Sequence, residues 1–286
     1  MIVTIITRVR RAVLATIVSV VTAASAAVEP APSPEVAPGV GSASGVVLGA
    51  DISWPNCPKG MGMRSRPTQG KPLPKPSTRF VVIGLTNGPA FHPNPCLASQ
   101  VAWAKTRHLY VAAYAVATYP TKRQLAAHGT TGPHSTHRDY GKLFNTGYAQ
   151  ARVNVANMER VGLASPIVWV DVEPVSPPSP WSGSKGGNRA VVDGVVHGYQ
   201  SAGYQVGFYS TKTLWRIIVG KTRYRLPEWR TAGQATRRAA LARCRTDQIQ
   251  GGSAVLTQWY DSDRDYDAIC PGRPASEVLR GYFTKY

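Results

Sequence analysis

Ile167-Val168-Trp169-Val170-Asp171-Val172-Glu173 sets four apolar residues in a row and follows them with two acids separated by one valine. A continuous apolar run of this length reads as a strand covered on both faces, the mark of a parallel sheet packed between helices. The same texture returns along the chain at Val46 to Asp51, Phe80 to Leu85, Leu109 to Val116, Gln205 to Tyr209 and Ala254 to Trp259. Fainter versions lie near Glu228 to Thr231 and Asp265 to Ile269. Amphipathic segments fall between them. Leu97 to Thr106 is one, and Tyr140 to Gly162 is another, with Val153, Val155, Met158 and Val161 at helical spacing. Asn188 to Gly203 is a third, closing on the glycine that a helix end favours. Eight strand candidates in about 240 residues predict an α/β fold, a closed TIM-type (β/α) barrel. The helical signal weakens after Gln205 to Tyr209, so the last third is expected to be irregular.

The barrel is predicted to occupy residues 45–286. Residues 1–26 read as a signal peptide: Arg8, Arg10 and Arg11 precede the apolar stretch Ala12 to Val21, and Ala24-Ser25-Ala26 offers the small residues of a cleavage site. The apolar stretch falls short of the roughly 20 residues that span a bilayer, so no stable membrane insertion is expected after cleavage. Residues 27–44 are rich in Pro and Ala and hold no aromatic residue, which predicts a disordered linker. The formal net charge is +18, and without the three leader arginines 30 bases face 15 acids, a net +15. Such basicity favours anionic partners. For an exported chain, expected to be a wall-associated monomer, the candidates are cell-wall polysaccharides, other anionic glycans and membrane surfaces; export and the lack of a recognisable module argue against nucleic acid. Cys57, Cys96, Cys244 and Cys270 make an even set in an exported chain and predict two disulfides. Of three possible pairings, Cys57–Cys96 and Cys244–Cys270 are expected, because each pair joins loops at neighbouring strand ends of the barrel. No two cysteines have zinc-ligand spacing, and neither metal nor cofactor is expected.

The placement of the acids carries the functional reading. From Gly45 onward there are 13, and from Gly45 to Arg138 Asp51 stands alone. Asp51, Asp171 and Glu173 end strands, and the C-terminal strand ends of a barrel form its active face. Residues i and i+2 of a strand point the same way with Cα atoms roughly 6.5 to 7 Å apart, so Asp171 and Glu173 are close enough to couple. Crowding raises one pKa and yields a proton donor beside an ionised partner, the requirement for cleaving a glycosidic bond. A solvated strand end or a Ca²⁺ ligand pair is the plain alternative. Asp261, Asp263, Asp265 and Asp267 alternate as in a calcium loop but lack its glycine and closing Glu. His128, His134, His137 and Asp139 read as a polar loop near the barrel mouth rather than a metal site. Trp54, Tyr114, Tyr119, Trp181, Tyr209, Trp259 and Tyr260 sit near strand ends where aromatic rings stack on sugars.

These pieces together resemble the family 25 glycoside hydrolases, lysozyme-type muramidases that cut peptidoglycan. Gly49-Ala50-Asp51-Ile52-Ser53-Trp54 is similar to their first strand, Phe80 to Gly88 to a second-strand motif ending T-E-G, and Ala113-Tyr114 to a third-strand G-A-Y-H-F. Val170-Asp171-Val172-Glu173 resembles the catalytic D-x-E, Gly207-Phe208-Tyr209-Ser210 the later G-x-Y-S, and Gln258-Trp259 with Asp265-Tyr266-Asp267 the closing pattern. Secreted actinobacterial family-25-like proteins, which share D-I-S-W-P-N-C and D-Y-D-x-x-C, are more similar still. The resemblance implies Glu173 as general acid, Asp171 as its charge-stabilising partner, and Asp51 and Asp265 lining the cleft. Trp54, Asn87, Tyr114, Tyr209, Trp259 and Asp267 are the expected substrate-binding residues. Two positions depart from the pattern: Asn87 stands where the family has the acid of T-E-G, and Ala115 where it has the His of G-A-Y-H-F. Intact acids favour a secreted hydrolase of a cell-wall glycan. The two departures favour a glycan-binding barrel that has lost turnover.

Overall fold

A computed structural model describes residues 45–175, 181 and 184–286, so the expected signal peptide and linker lie outside the described residues. Eight strands close on themselves: β1 (Leu48–Ile52), β2 (Phe80–Gly84), β3 (Tyr110–Val116), β4 (Ile167–Asp171), β5 (Gln205–Ser210), β6 (Glu228–Gln234), β7 (Ala254–Tyr260) and β8 (Asp265–Ile269). Neighbours in sequence are neighbours in space, and β8 returns to pair with β1. Helices α1 (Leu97–Thr106), α2 (Lys122–His128), α3 (Gly141–Val161), α4 (Lys185–Gln200), α5 (Lys212–Ile218), α6 (Arg237–Arg243) and α7 (Ala275–Tyr282) complete the domain.

Strand parity sorts the apolar residues into two cores. Phe80, Val82, Ala112, Ile167, Trp169, Trp229, Leu256 and Ile269 fill the barrel. Their chain neighbours Val81, Ile83, Val111, Ala113, Val168, Val170 and Phe208 face outward and pack under the helices. Both sets are buried, which is why the strands read as unbroken apolar runs. Gly207 makes the room that Trp169 occupies: a Cβ there would lie 2.3 Å from the indole ring. The barrel floor is closed by α7 and the chain after it. Val278, Leu279 and Phe283 enter the inner core, and Thr284–Lys285 pairs with the part of β3 below its contact with β4.

The barrel departs from an all-parallel (β/α)₈ design in its last third, where irregularity is expected. Seven strands run parallel, but β8 is antiparallel to both β7 and β1. The reason is length: only Asp261–Arg264 separate β7 from β8, and a parallel return needs a crossover of a dozen residues or more. Asp261 builds the turn, its Oδ1 accepting from the amides of Asp263 and Arg264 at 2.8 and 2.9 Å and its Oδ2 from the Tyr266 hydroxyl. The alternating acids are therefore a hairpin turn followed by an inward-facing strand. The first expected helix is observed at the expected residues, and α3 ends as expected on Gly162 at φ +65°. The third is shifted: α4 starts after Ser184, whose side chain accepts from the Gly187 amide, and stops at Gln200, leaving Gly203 at φ +86° in the turn beyond. Cys57–Cys96 and Cys244–Cys270 form the two expected disulfides.

Candidate active site

Five carboxyls meet at the barrel mouth, and strand direction explains each. Asp51 and Asp171 sit at the C-terminal ends of β1 and β4, and Glu173 follows two residues on with the same parity. Asp265 opens β8; because β8 runs downward, its first residue lies at the same mouth, paired with Tyr260 at the top of β7. Asp267 lies two residues deeper and is fully buried. In a domain with 30 bases, this inward cluster of acids is balanced only in part: Lys71 draws Asp265 down while burial and Asp261 push it up.

The support below is aromatic and hydrogen-bonded. Trp229 stands at the centre, with Tyr209, Tyr114 and Trp169 at ring-centroid distances of 4.7, 5.8 and 6.2 Å. Its indole N–H donates to Asp267 Oδ1 at 2.8 Å. Tyr209 and Thr231 both donate to Gln258 Oε1, at 2.8 and 2.9 Å. With its carbonyl so engaged, Gln258 turns its amide N–H to Asp51 Oδ2 at 2.8 Å. Asp267 Oδ2 accepts from no N–H or neutral hydroxyl, and the side chain beside it is Asp51. A proton on Asp51 satisfies both groups. Burial pushes Asp51 well above the ordinary carboxyl range, and the charges of Asp265 and Asp267 add to the rise.

Asp171 and Glu173 form the second pair. Asp171 is buried, and its Oδ1 has no hydrogen-bond partner among the described residues. Burial first, then the Glu173 charge, holds its pKa well above the usual range. Glu173 is half-buried at the lip, its pKa pushed up to about 7 by burial and then by Asp265. Its main-chain carbonyl accepts from the Trp181 indole at 3.1 Å. A cleft of about 500 Å³ opens beside Glu173, lined also by Tyr209, Thr231, Arg230 and Tyr260. A carboxyl that is half protonated near pH 7, beside a more deeply buried one, is fitted to donate a proton to a substrate atom in that cleft.

Three of the expected substrate contacts are reassigned. Gln258 faces inward, so Trp259 faces out. It stacks on Tyr266 at 5.5 Å on the outer surface, and Tyr260 joins Tyr209 on the cleft. Asn87 is committed to a hairpin of Gly62–Met63 and Arg66–Pro67, its Oδ1 accepting from the Met63 amide at 2.8 Å and its Nδ2 donating to the Arg66 carbonyl. The Arg66 guanidinium covers a face of Trp54 at 5.4 Å. Tyr114 and Tyr209 do reach the mouth: Tyr209 is a buried donor to Gln258, and Tyr114 lies half-buried beneath the carboxyls against Trp229. Ala115 belongs to the outer core, so a larger side chain there would meet helices and not the mouth. In the loop from His128 to Asp139, His128 stacks on Phe91 at 4.5 Å and His134 packs on Phe144 at 4.6 Å. Gln258, Thr231 and Trp229 were the missed positions, whereas Tyr260 was among the aromatic residues expected to meet a sugar. The signal that finds the three is parity counted back from Asp267 and across to its neighbours.

The fold and site together define an irregular eight-stranded barrel with a carboxyl-lined mouth. Comparison with known proteins narrows it: residues 139–234 match the family model described as lysozyme-like protein 1. A Dictyostelium discoideum protein described as "Probable GH family 25 lysozyme 4" is 37% identical over 54 residues, 19% of this chain. The match spans about a quarter of that relative's length (24%). A lysozyme from Streptomyces coelicolor superposes with TM-score 0.53 at 13% identity, over 84% of this chain and 98% of that one. A family 25 lysozyme from Aspergillus fumigatus gives 0.52 at 15%, over 82% and 98%, and a muramidase from Trichobolus zukalii 0.51 at 16%, over 82% and 98%. The chain carries a family-25-lysozyme-like barrel.

Proposed function

We propose that the protein is an exported glycoside hydrolase that cuts a cell-wall glycan, peptidoglycan foremost, with Glu173 as general acid. One observation carries the reading: Glu173, at about 7, borders a cleft of about 500 Å³ next to a buried carboxyl with an unpartnered oxygen. The protonated Glu173 gives its proton to the leaving glycosidic oxygen. Asp171, deeper and fixed at the end of β4, faces the positive charge that develops at the anomeric carbon or on an assisting N-acetyl group of the substrate. Asp265 and the Asp51–Asp267 pair, which shares one proton, keep the mouth electronegative, and Gln258 and Trp229 hold that pair in place. The departures at Asn87 and Ala115 fall on a hairpin peg and in the outer core, outside this cluster.

The test is reducing-sugar release from purified cell walls by the protein and by Glu173→Gln. Removing a general acid costs about 10²- to 10⁴-fold in rate. A fall of that size with an unchanged unfolding temperature at pH 5 supports the assignment. No release by either protein, with both still bound to the walls, replaces the hydrolase with a glycan-binding barrel.

A further inference from the structure

A second hollow, of about 250 Å³, lies between α5 and the two loops at 220–223 and 248–251. Lys212, Arg216, Lys221 and Arg223 line it, and no acid does. All four side chains are exposed, and none makes a salt bridge to an acid among the described residues. The acids around them are taken: Glu228 by Arg230, Asp193 by Arg189 and the Tyr224 hydroxyl, and Asp247 by Arg243, with Lys212 a more distant charge beside it. Four unpaired cations around one cavity repel each other unless an anion joins them.

The walls are built rather than incidental. Trp215 forms part of the lining, and its indole N–H fixes the first loop by donating to the Thr222 carbonyl at 3.1 Å. The second loop is held by the fully buried Glu228, which accepts from the amides of Ile249, Gln250 and Gly252 at 3.0, 2.8 and 2.9 Å. Gly220 at φ +88° and Gly251 at φ +95° turn the chain at the rim of the hollow. Arg216 and Lys221 also border an adjoining hollow with Lys185, and Lys212 borders the Glu173 cleft as well. The cations thus form a track from the outer face to the carboxyl mouth.

We propose that this hollow binds the phosphate groups of an anionic polyol-phosphate polymer and holds that polymer beside the glycan cleft. A single carboxylate would leave most of the charge unmatched. A phosphodiester chain supplies an anion at each repeat, and each phosphate offers several acceptor oxygens to the guanidinium forks. The site stands without the hydrolase reading, which supplies only the setting.

The test titrates poly(glycerol phosphate) into the protein and into two variants that each lose three charges. One is Arg216→Gln/Lys221→Gln/Arg223→Gln; Lys212 is kept because it borders the cleft. The other, Arg123→Gln/Arg152→Gln/Arg280→Gln, removes exposed arginines that line neither the hollow nor the cleft. About tenfold weaker binding in the first and less than twofold in the second is expected, from a few tenths to one kcal/mol for each exposed charge contact. Equal weakening in both overturns the site in favour of general charge attraction. Polyglutamate binding as tightly, with the same dependence on the first variant, overturns the choice of phosphate. Sugar release by Glu173→Gln and wild type reports on the cleft alone, so either reading can fail without the other.

Discussion

At Glu173 burial outweighs hydration, and the consequence is a pH limb. The acid form is the active one, so sugar release should fall as pH rises through about 7. A rate that keeps climbing from pH 6 to pH 9 would remove Glu173 from the role. A different outcome of burial appears at Arg230. Its guanidinium donates to Glu228 Oε2 and to the carbonyls of Arg243, Cys244 and Thr246, tying the end of α6 to β6. Both partners of that pair are buried. Arg230→Ala strands the buried carboxylate and is expected to cost about 3–5 kcal/mol, read from denaturant unfolding. Neither role can be read from residue type. Asp171 and Glu173 were legible because i and i+2 share a face on any strand. Trp259 was misplaced because its parity depends on where β7 begins, and Glu228 was invisible because most of its partners come from a loop more than 20 residues away, at 249–252.

Helices α3 and α4 show the same limit one level up. Their periodicity announces two helices facing a core, but not how closely they approach. Gly147 and Gly194 set the distance: a Cβ at Gly147 would lie 2.1 Å from the Val191 carbonyl oxygen, and one at Gly194 would lie 2.0 Å from that of Phe144. Ala in place of Gly raises helix propensity by about 0.5–1 kcal/mol. Here a rigid backbone stands in the way, and overpacking costs about 1–3 kcal/mol. Gly194→Ala is therefore expected to lower the unfolding temperature by several degrees, and a rise would show that the helices part freely. Short helices follow local signals that are readable afterwards. Thr121, Thr211 and Thr236 each accept from the amide three residues on and so start α2, α5 and α6. The reversed direction of β8 follows from the brevity of the Asp261–Arg264 turn, and it alone brings Asp265 to the mouth.

For the whole molecule, the clustered acids make stability depend on pH in an unusual sense. Asp51, Asp171, Glu173, Asp265 and Asp267 all have pKa values raised by folding, so the native state holds more protons than the unfolded chain. Their contribution is complete below the unfolded carboxyl range and is lost as pH rises through the native values, which for Glu173 is about 7. His92, lowered by burial, works the other way, as do Asp247 and Asp261, lowered by their hydrogen bonds from Arg243 and from the Asp263 and Arg264 amides. The unfolding temperature should be higher at pH 5 than at pH 8, and Glu173→Gln should narrow the gap by gaining stability at pH 8. A higher unfolding temperature at pH 8 in the wild type would mean that the carboxyls are well solvated.

The sequence by itself determined the barrel, its irregular last third and the presence of Asp51, Asp171 and Glu173 at strand ends. These follow from apolar periodicity and chain order, which are local or nearly so. Only the tertiary structure decided which acids meet and which bases remain unpaired beside them. The Gln258–Asp51 bond joins residues 207 apart in sequence, and the basic hollow is assembled from a helix and two loops. Barrel closure sets both, because it turns separate strand ends into one mouth and leaves the surrounding cations to the outer surface.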